Sequence, residues 1–202
     1  MKIIPFSPPD ITELEIKEVV ETLKSGWITT GKRTKLFEKK LAEYIGTSKV
    51  VCLNSQTASA EMTLRLLGIG PGDEVIVPAY TYTASASVIN HVGAKIVMID
   101  VDADSFELDY DAIADKITER TKAIIPVDLG GRMCDYDRIY EAIESKKHLF
   151  RSNNELQDLY NRVIVIADSA HGLGAMRKGK MSGQVADFTT FSFHGVKFLT
   201  NI

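Results

Sequence analysis

The sequence predicts an α/β fold in which a largely parallel sheet is covered by helices on both faces. From residue 49 onward, short apolar, β-prone runs alternate with segments of helical periodicity. Runs such as Val163-Ile164-Val165-Ile166-Ala167 are apolar throughout, as in strands buried on both faces. Small polar residues collect just after several of these runs, where ligands gather in such sheets.

Taken in order, Asp10 with Glu13 reads as a capping-box start, and Leu14, Val19, Val20 and Leu23 give a partly amphipathic helix ending near Gly26. Residues 26–31 read as a loop. Residues 34–45 form a second helix with Leu36, Phe37, Leu41 and Tyr44 as its apolar side and Gly46 as its stop. Strands are expected at 49–53, 74–77, 95–99, 122–127, 162–167 and 188–193. Helices are expected at 57–67, 82–91, 110–117 and 136–145. Gly70-Pro71-Gly72-Asp73 is a turn, and the polar segment 146–158 reads as surface. With no internal repeat and no linker, the chain reads as one domain.

Its 202 residues are 45% hydrophobic and 25% charged, enough for one sizeable core. A net charge of −3 with scattered basic residues gives no sign of a nucleic-acid surface, although local cationic groups could still meet a phosphate. Cys52 and Cys134 make neither a disulfide framework nor a metal cluster, and Cys52 reads as a small hydrophobe in a buried strand. The opening residues are too short for a signal peptide's apolar region and are broken by Pro5, Pro8 and Pro9. No apolar run approaches the length of a membrane span, so a cytoplasmic protein without membrane partners is expected.

The candidate chemistry sits at the strand ends. Asn54-Ser55-Gln56-Thr57-Ala58-Ser59 opens a helix with small polar residues, which suits a phosphate seat and equally suits plain N-capping by Ser55 or Thr57. Tyr80 or Tyr82, after the next strand, could cover a flat ligand or simply pack. Asp168 ends an apolar strand and so requires a cationic or hydrogen-bonding partner: a neighbouring helix start or a protonated ring nitrogen. His171 fits a core imidazole as readily as a ligand contact. Lys197 follows the run 188–193. An amine among apolar neighbours loses its proton more easily and can then form a Schiff base, although a lone lysine after a strand is ordinarily a surface residue. Together these make an anion seat, a stacking ring, an acid and an amine, the parts that pyridoxal phosphate requires.

Four segments carry a resemblance: Gly26-Trp27-Ile28-Thr29-Thr30-Gly31, Gly68-Ile69-Gly70-Pro71-Gly72-Asp73-Glu74-Val75-Ile76-Val77-Pro78, Asp168-Ser169-Ala170-His171-Gly172-Leu173-Gly174-Ala175 and Phe191-Ser192-Phe193-His194-Gly195-Val196-Lys197. In that order they resemble the DegT/StrS family of nucleotide-sugar aminotransferases. The resemblance implies the three-layer α/β/α large domain of fold-type I pyridoxal phosphate enzymes, with a mostly parallel sheet left incomplete at its C-terminal end. Residues 1–202 would be that domain, with helices over 10–45 and the sheet over 49–202; the family's small C-terminal domain would be absent.

By the same resemblance Lys197 would bind the cofactor covalently, Asp168 would hold the pyridinium proton, and His171 would sit near the phenolic oxygen. Tyr82 would stack on the ring, and Thr57, Ala58 and Ser192 would bind the phosphate. Thr29, Thr30 and Gly31 would border the sugar. The implied reaction moves an amino group from glutamate, or glutamine, to a keto group of a nucleotide-linked deoxyhexose in polysaccharide biosynthesis, within a homodimer. Gln56, Asp128 and Phe198 depart from the family's usual residues. Two rival readings are a sugar dehydratase of the same fold, which Lys197 argues against, and a truncated remnant without turnover.

Overall fold

The computed structural model describes residues 9–195 and Lys197; Phe198 and the proline-broken opening residues 1–8 lie outside them. Helix α1, Glu13–Lys24, begins two residues later than the sequence suggested. Thr12, not Asp10, closes the capping box: its hydroxyl accepts from the Leu14 amide at 3.2 Å, while the Glu15 carboxylate accepts from the Thr12 amide at 2.6 Å. The Thr-x-x-Glu spacing satisfies both orphan donors reciprocally, which Asp10 and Glu13 do not. Helix α2, Lys32–Ile45, starts at Gly31 and ends at Gly46, whose φ of 76° needs no Cβ.

Residues 49–53, expected to be a buried strand, form no strand. The Cys52 amide donates to the Glu38 carboxylate at 3.0 Å and not to a neighbouring strand, and Val51 and Leu53 are exposed. Apolar content is not enough for a strand whose edge meets no partner row. Cys52 is accordingly only half-buried.

Then come α3 (Gln56–Leu66), β1 (Glu74–Pro78), α4 (Thr83–His91), β2 (Lys95–Ile99), α5 (Tyr110–Lys116), β3 (Thr121–Ile124), α6 (Tyr136–Ser145), α7 (Glu155–Tyr160) and β4 (Ile164–Asp168). A short antiparallel hairpin, β5 (Met176–Arg177) with β6 (Lys180–Met181), precedes β7 (Phe188–Thr190). The main sheet has the order β2-β1-β3-β4-β7, and every pairing in it is parallel. β3 is shorter than expected because Pro126 has no N–H to continue the ladder; only its carbonyl is used, by the Asp168 amide at 2.9 Å.

Alternation along each strand divides the core in two. Val75 and Val77 face α3 and α4 with Leu64, Val88, Ile89 and Ile166. Ile76 faces α5 and α6 with Ile113, Ile139, Ile143 and Val165. The crossover through α4 steps from β1 to β2, and those through α5 and α6 step the other way. Right-handed crossovers therefore put these helices on opposite faces. The three-layer α/β/α arrangement follows.

Segment 146–158 is not merely surface. A single 3-10 turn, Lys147–Leu149, leads to α7, where Gln157 is fully buried and donates to the Leu67 carbonyl at 2.8 Å. Asn154 caps α7 and gives its amide nitrogen to the same carbonyl at 2.9 Å, which fastens α7 to the end of α3. Among the described residues no helix is long and apolar enough to cross a membrane.

Leu64 is completely buried between α3 and the sheet. Leu64→Ala should cost about 2–5 kcal/mol, read from the urea midpoint at unchanged m-value.

Candidate active site

The strand order reverses between β1 and β3: the chain leaves β1 for β2 on one side and later returns to place β3 on the other. A cleft opens outside the carboxyl ends of the strands at such a switch point. Here it is lined by Tyr82 after β1, Asp128 after β3, Asp168 and His171 at and after β4, and Lys197 after β7; Gln56, at the start of α3, closes one side. Asp168, His171, Tyr82 and Lys197, singled out from widely separated stretches of sequence, thus share one cavity.

Asp168 is held on both sides by backbone. Its amide donates to Pro126, its carbonyl accepts from Asp128 at 2.9 Å, and Ser169 donates to Thr190 at 2.9 Å. The carboxylate accepts from the Ser85 hydroxyl at 2.7 Å and the Ala170 amide at 3.2 Å. Burial pushes its pKa up, and these hydrogen bonds only partly oppose that. A buried acid with remaining lone pairs facing a cleft is suited to one more donor, above all a cationic N–H.

The Lys197 amine lies 2.6 Å from His171 Nε2. The other ring nitrogen, Nδ1, accepts from the Gly130 amide at 3.2 Å. Burial lowers the His171 pKa, proximity to Lys197 lowers it further, and Asp168 pulls the other way. Tyr82 precedes α4 and is 79% exposed, so its ring stands at the rim free to meet a ligand.

The remaining expected residues are not part of the lining itself. Thr57 and Ala58 occupy the first turn of α3, next to Gln56 but not in the cleft lining, and the Ala58 amide is capped by Ser55 Oγ at 3.0 Å. Ser192 follows β7 and accepts from the His194 amide at 3.3 Å. Thr29, Thr30 and Gly31 form the loop before α2 and are not among the residues that line the cleft. There the Trp27 indole donates to the Thr30 carbonyl at 3.2 Å and covers Gly31 so closely that a Cβ would strike the ring at 2.3 Å.

Several polar residues of this region escaped assignment from sequence. Gln56 donates to Thr190 Oγ1 at 2.9 Å, tying α3 to β7. Ser85 supports Asp168 from the first turn of α4, where nothing in its local sequence marks it. Asp128 carried a legible signal, a carboxylate just past an apolar strand. It is buried, and accepts from the Cys134 amide at 2.9 Å, the Tyr136 hydroxyl at 3.0 Å, Ser182 at 3.4 Å and Ser169. Burial raises its pKa despite these donors.

Comparison with known proteins agrees with this architecture. The sequence model of the DegT/DnrJ/EryC1/StrS aminotransferase family matches residues 9–202, and the chain belongs to that family. Its members use pyridoxal phosphate. The UDP-4-amino-4-deoxy-L-arabinose–oxoglutarate aminotransferase of Shewanella sediminis is 40% identical over 98% of this chain and 47% of its own length. The GDP-perosamine synthase of Caulobacter vibrioides is 38% identical over 98% of this chain and 49% of its own. Spr1654 of Streptococcus pneumoniae, named as a candidate sugar aminotransferase and solved in PMP and PLP forms, is 59% identical. It superposes with a TM-score of 0.96 over 98% of this chain and 50% of its own. The chain spans about half the length of the curated relatives it matches.

Because a carboxyl raised by burial is more readily protonated in the fold than in the open chain, it stabilises at low pH. That stability is lost as pH rises from the ordinary carboxylate value of about 3.9 through the raised one. Asp128→Asn should remove this loss: its urea midpoint, relative to the parent, should improve as pH rises from about 4 to about 7. Parallel profiles would acquit Asp128.

Proposed function

We propose that this chain forms the cofactor-binding half of an aminotransferase that moves an amino group from glutamate to a keto group of a nucleotide-linked deoxyhexose. The observation that carries the reading is the placement of a primary amine, Lys197, and a buried acid, Asp168, on one cleft at the carboxyl ends of a parallel sheet. The oxoglutarate named for the Shewanella relative is the keto acid of glutamate, and two named relatives carry UDP- or GDP-sugar names. These support the donor and the substrate class.

The donor set fits pyridoxal phosphate. When bound, the cofactor supplies a protonated ring that absorbs the electrons released as a proton leaves carbon. Lys197 Nζ is the nitrogen that would hold the cofactor's aldehyde carbon and, once displaced by an amino donor, is the base placed for the donor's Cα proton. Asp168 would hold the proton on the ring nitrogen. Tyr82 at the rim would cover one ring face and exclude water. The start of α3, with Thr57 and Ala58, and Ser192 would serve the phosphate; Thr29, Thr30 and Gly31 would border the sugar. Pairing of two chains and a cytoplasmic location belong to the same reading.

The test is spectroscopic. Added pyridoxal phosphate should give the chain a near-visible band that borohydride bleaches, leaving label on Lys197, and glutamate should convert the band to the amine form. Absence of band and label would leave a folded remnant without this function. Lys197→Ala should abolish band and label. Asp168→Ala should retain part of the cofactor while slowing conversion by glutamate about a hundredfold or more.

A further inference from the structure

The Asp168 carboxylate is held at both of its oxygens. Ser85 Oγ donates to Oδ2 at 2.7 Å, and the Ala170 amide donates to Oδ1 at 3.2 Å. The last torsion of an aspartate is soft and roughly two-fold, so a carboxylate anchored at one oxygen can turn about its Cβ–Cγ bond. Anchored at both, it keeps one plane. The Ala170 anchor is local, two residues along the chain, whereas Ser85 is brought across from α4. Asp168 is 5% exposed and Ser85 1%, so bulk water cannot stand in for the hydroxyl if it is removed.

Ser85 behaves unlike other helical hydroxyls of this chain. Thr22, Ser59 and Thr63 each turn back to the carbonyl four residues earlier, at 2.7, 3.0 and 2.8 Å. Ser85, in the first turn of α4, gives its one hydrogen to Asp168 instead. Its oxygen is then left to accept, and Thr81 Oγ1 lies 2.8 Å away. Thr81 is therefore the donor in that contact. The three side chains form a relay of one direction, from Thr81 to Ser85 to Asp168, and half-buried Thr81 at its outer end lines the cleft. A hydroxyl whose hydrogen and lone pair are both engaged no longer rotates freely. Around the same carboxylate, Gln56 adds a weaker donor and His171 is the titratable neighbour.

We propose that Ser85, braced by Thr81, is a positioning residue that sets the plane of the Asp168 carboxylate at the cleft. Its value to catalysis rests on the aminotransferase reading, since a carboxylate receives a ring N–H best near its own plane, along its lone-pair directions. The relay itself does not depend on that reading.

Carboxyl carbons labelled with ¹³C report the titration of Asp168 in the cofactor-free protein, with Asp168→Asn supplying the assignment. The Ser85 hydrogen bond lowers the Asp168 pKa, so Ser85→Ala should move the midpoint up. Thr81→Val keeps the side-chain shape and removes only the outer donor; it should move the midpoint the same way by less. An unmoved midpoint in either variant overturns the proposal. A second arm uses protein loaded with pyridoxal phosphate. At saturating glutamate, Ser85→Ala should slow conversion of the near-visible band about tenfold or more, the equivalent of one hydrogen bond to a charged group, with half-saturating glutamate unchanged. A rate equal to the parent's, or an effect confined to half-saturation, overturns the positioning role. A shifted midpoint in a protein that forms no cofactor band removes the functional reading alone. An unmoved midpoint beside a normal band removes this one alone.

Discussion

The parallel register at the carboxyl ends of β3, β4 and β7 governs everything that happens in the cleft. Asp168 gives its amide to Pro126 and its carbonyl to Asp128, while Ser169 reaches Thr190, so three neighbouring strand ends are laced at one level. A carboxylate fixed there has little freedom to retreat into water. Burying it is unfavourable, and the surroundings compensate only in part, through Ser85 and the Ala170 amide. The resulting site holds a buried acid whose remaining hydrogen-bonding capacity faces the cleft.

A second carboxylate works behind the first. Asp128 does not reach for a partner across the cleft in the same manner; its oxygens are engaged by hydroxyls and one amide from residues 134–182. Its role is to close the turn that bears Gly130 and to tie β3 to the segment after β4. The two acids share a burial-raised pKa and differ in what surrounds them: Asp168 lines the cleft and is met by Ser85, the Ala170 amide and Gln56, whereas Asp128 is met by three hydroxyls and the Cys134 amide. Satisfied buried networks of this kind favour one loop geometry over others.

Local sequence was most informative where a single element could satisfy its own needs. Helices α2 to α6 fall close to where periodicity and caps put them, because those signals act within a few residues. It misled where a partner was required. Residues 49–53 have strand composition but no neighbour to pair with, and Pro126 shortens β3 by withholding a donor. Gln157 looked like surface because its buried contact, the Leu67 carbonyl, lies ninety residues away. Asp168 and Lys197 stood out by residue type and strand-end position, and they line one cleft. Ser85 did not stand out, since its hydroxyl acquires meaning only when α4 packs beside β4.

The order of elements, the apolar strands and the chemical types at their ends were determined by sequence alone, because alternation, capping and burial follow from neighbouring residues. Which ends meet was decided only by tertiary structure. A crossover carries β2 to the far side of β1, and that reversal brings Tyr82, Asp168 and Lys197 to a common opening. The setting of His171 belongs to the same category: its Nδ1 meets an amide forty-one residues earlier in the chain, and no local pattern encodes that meeting.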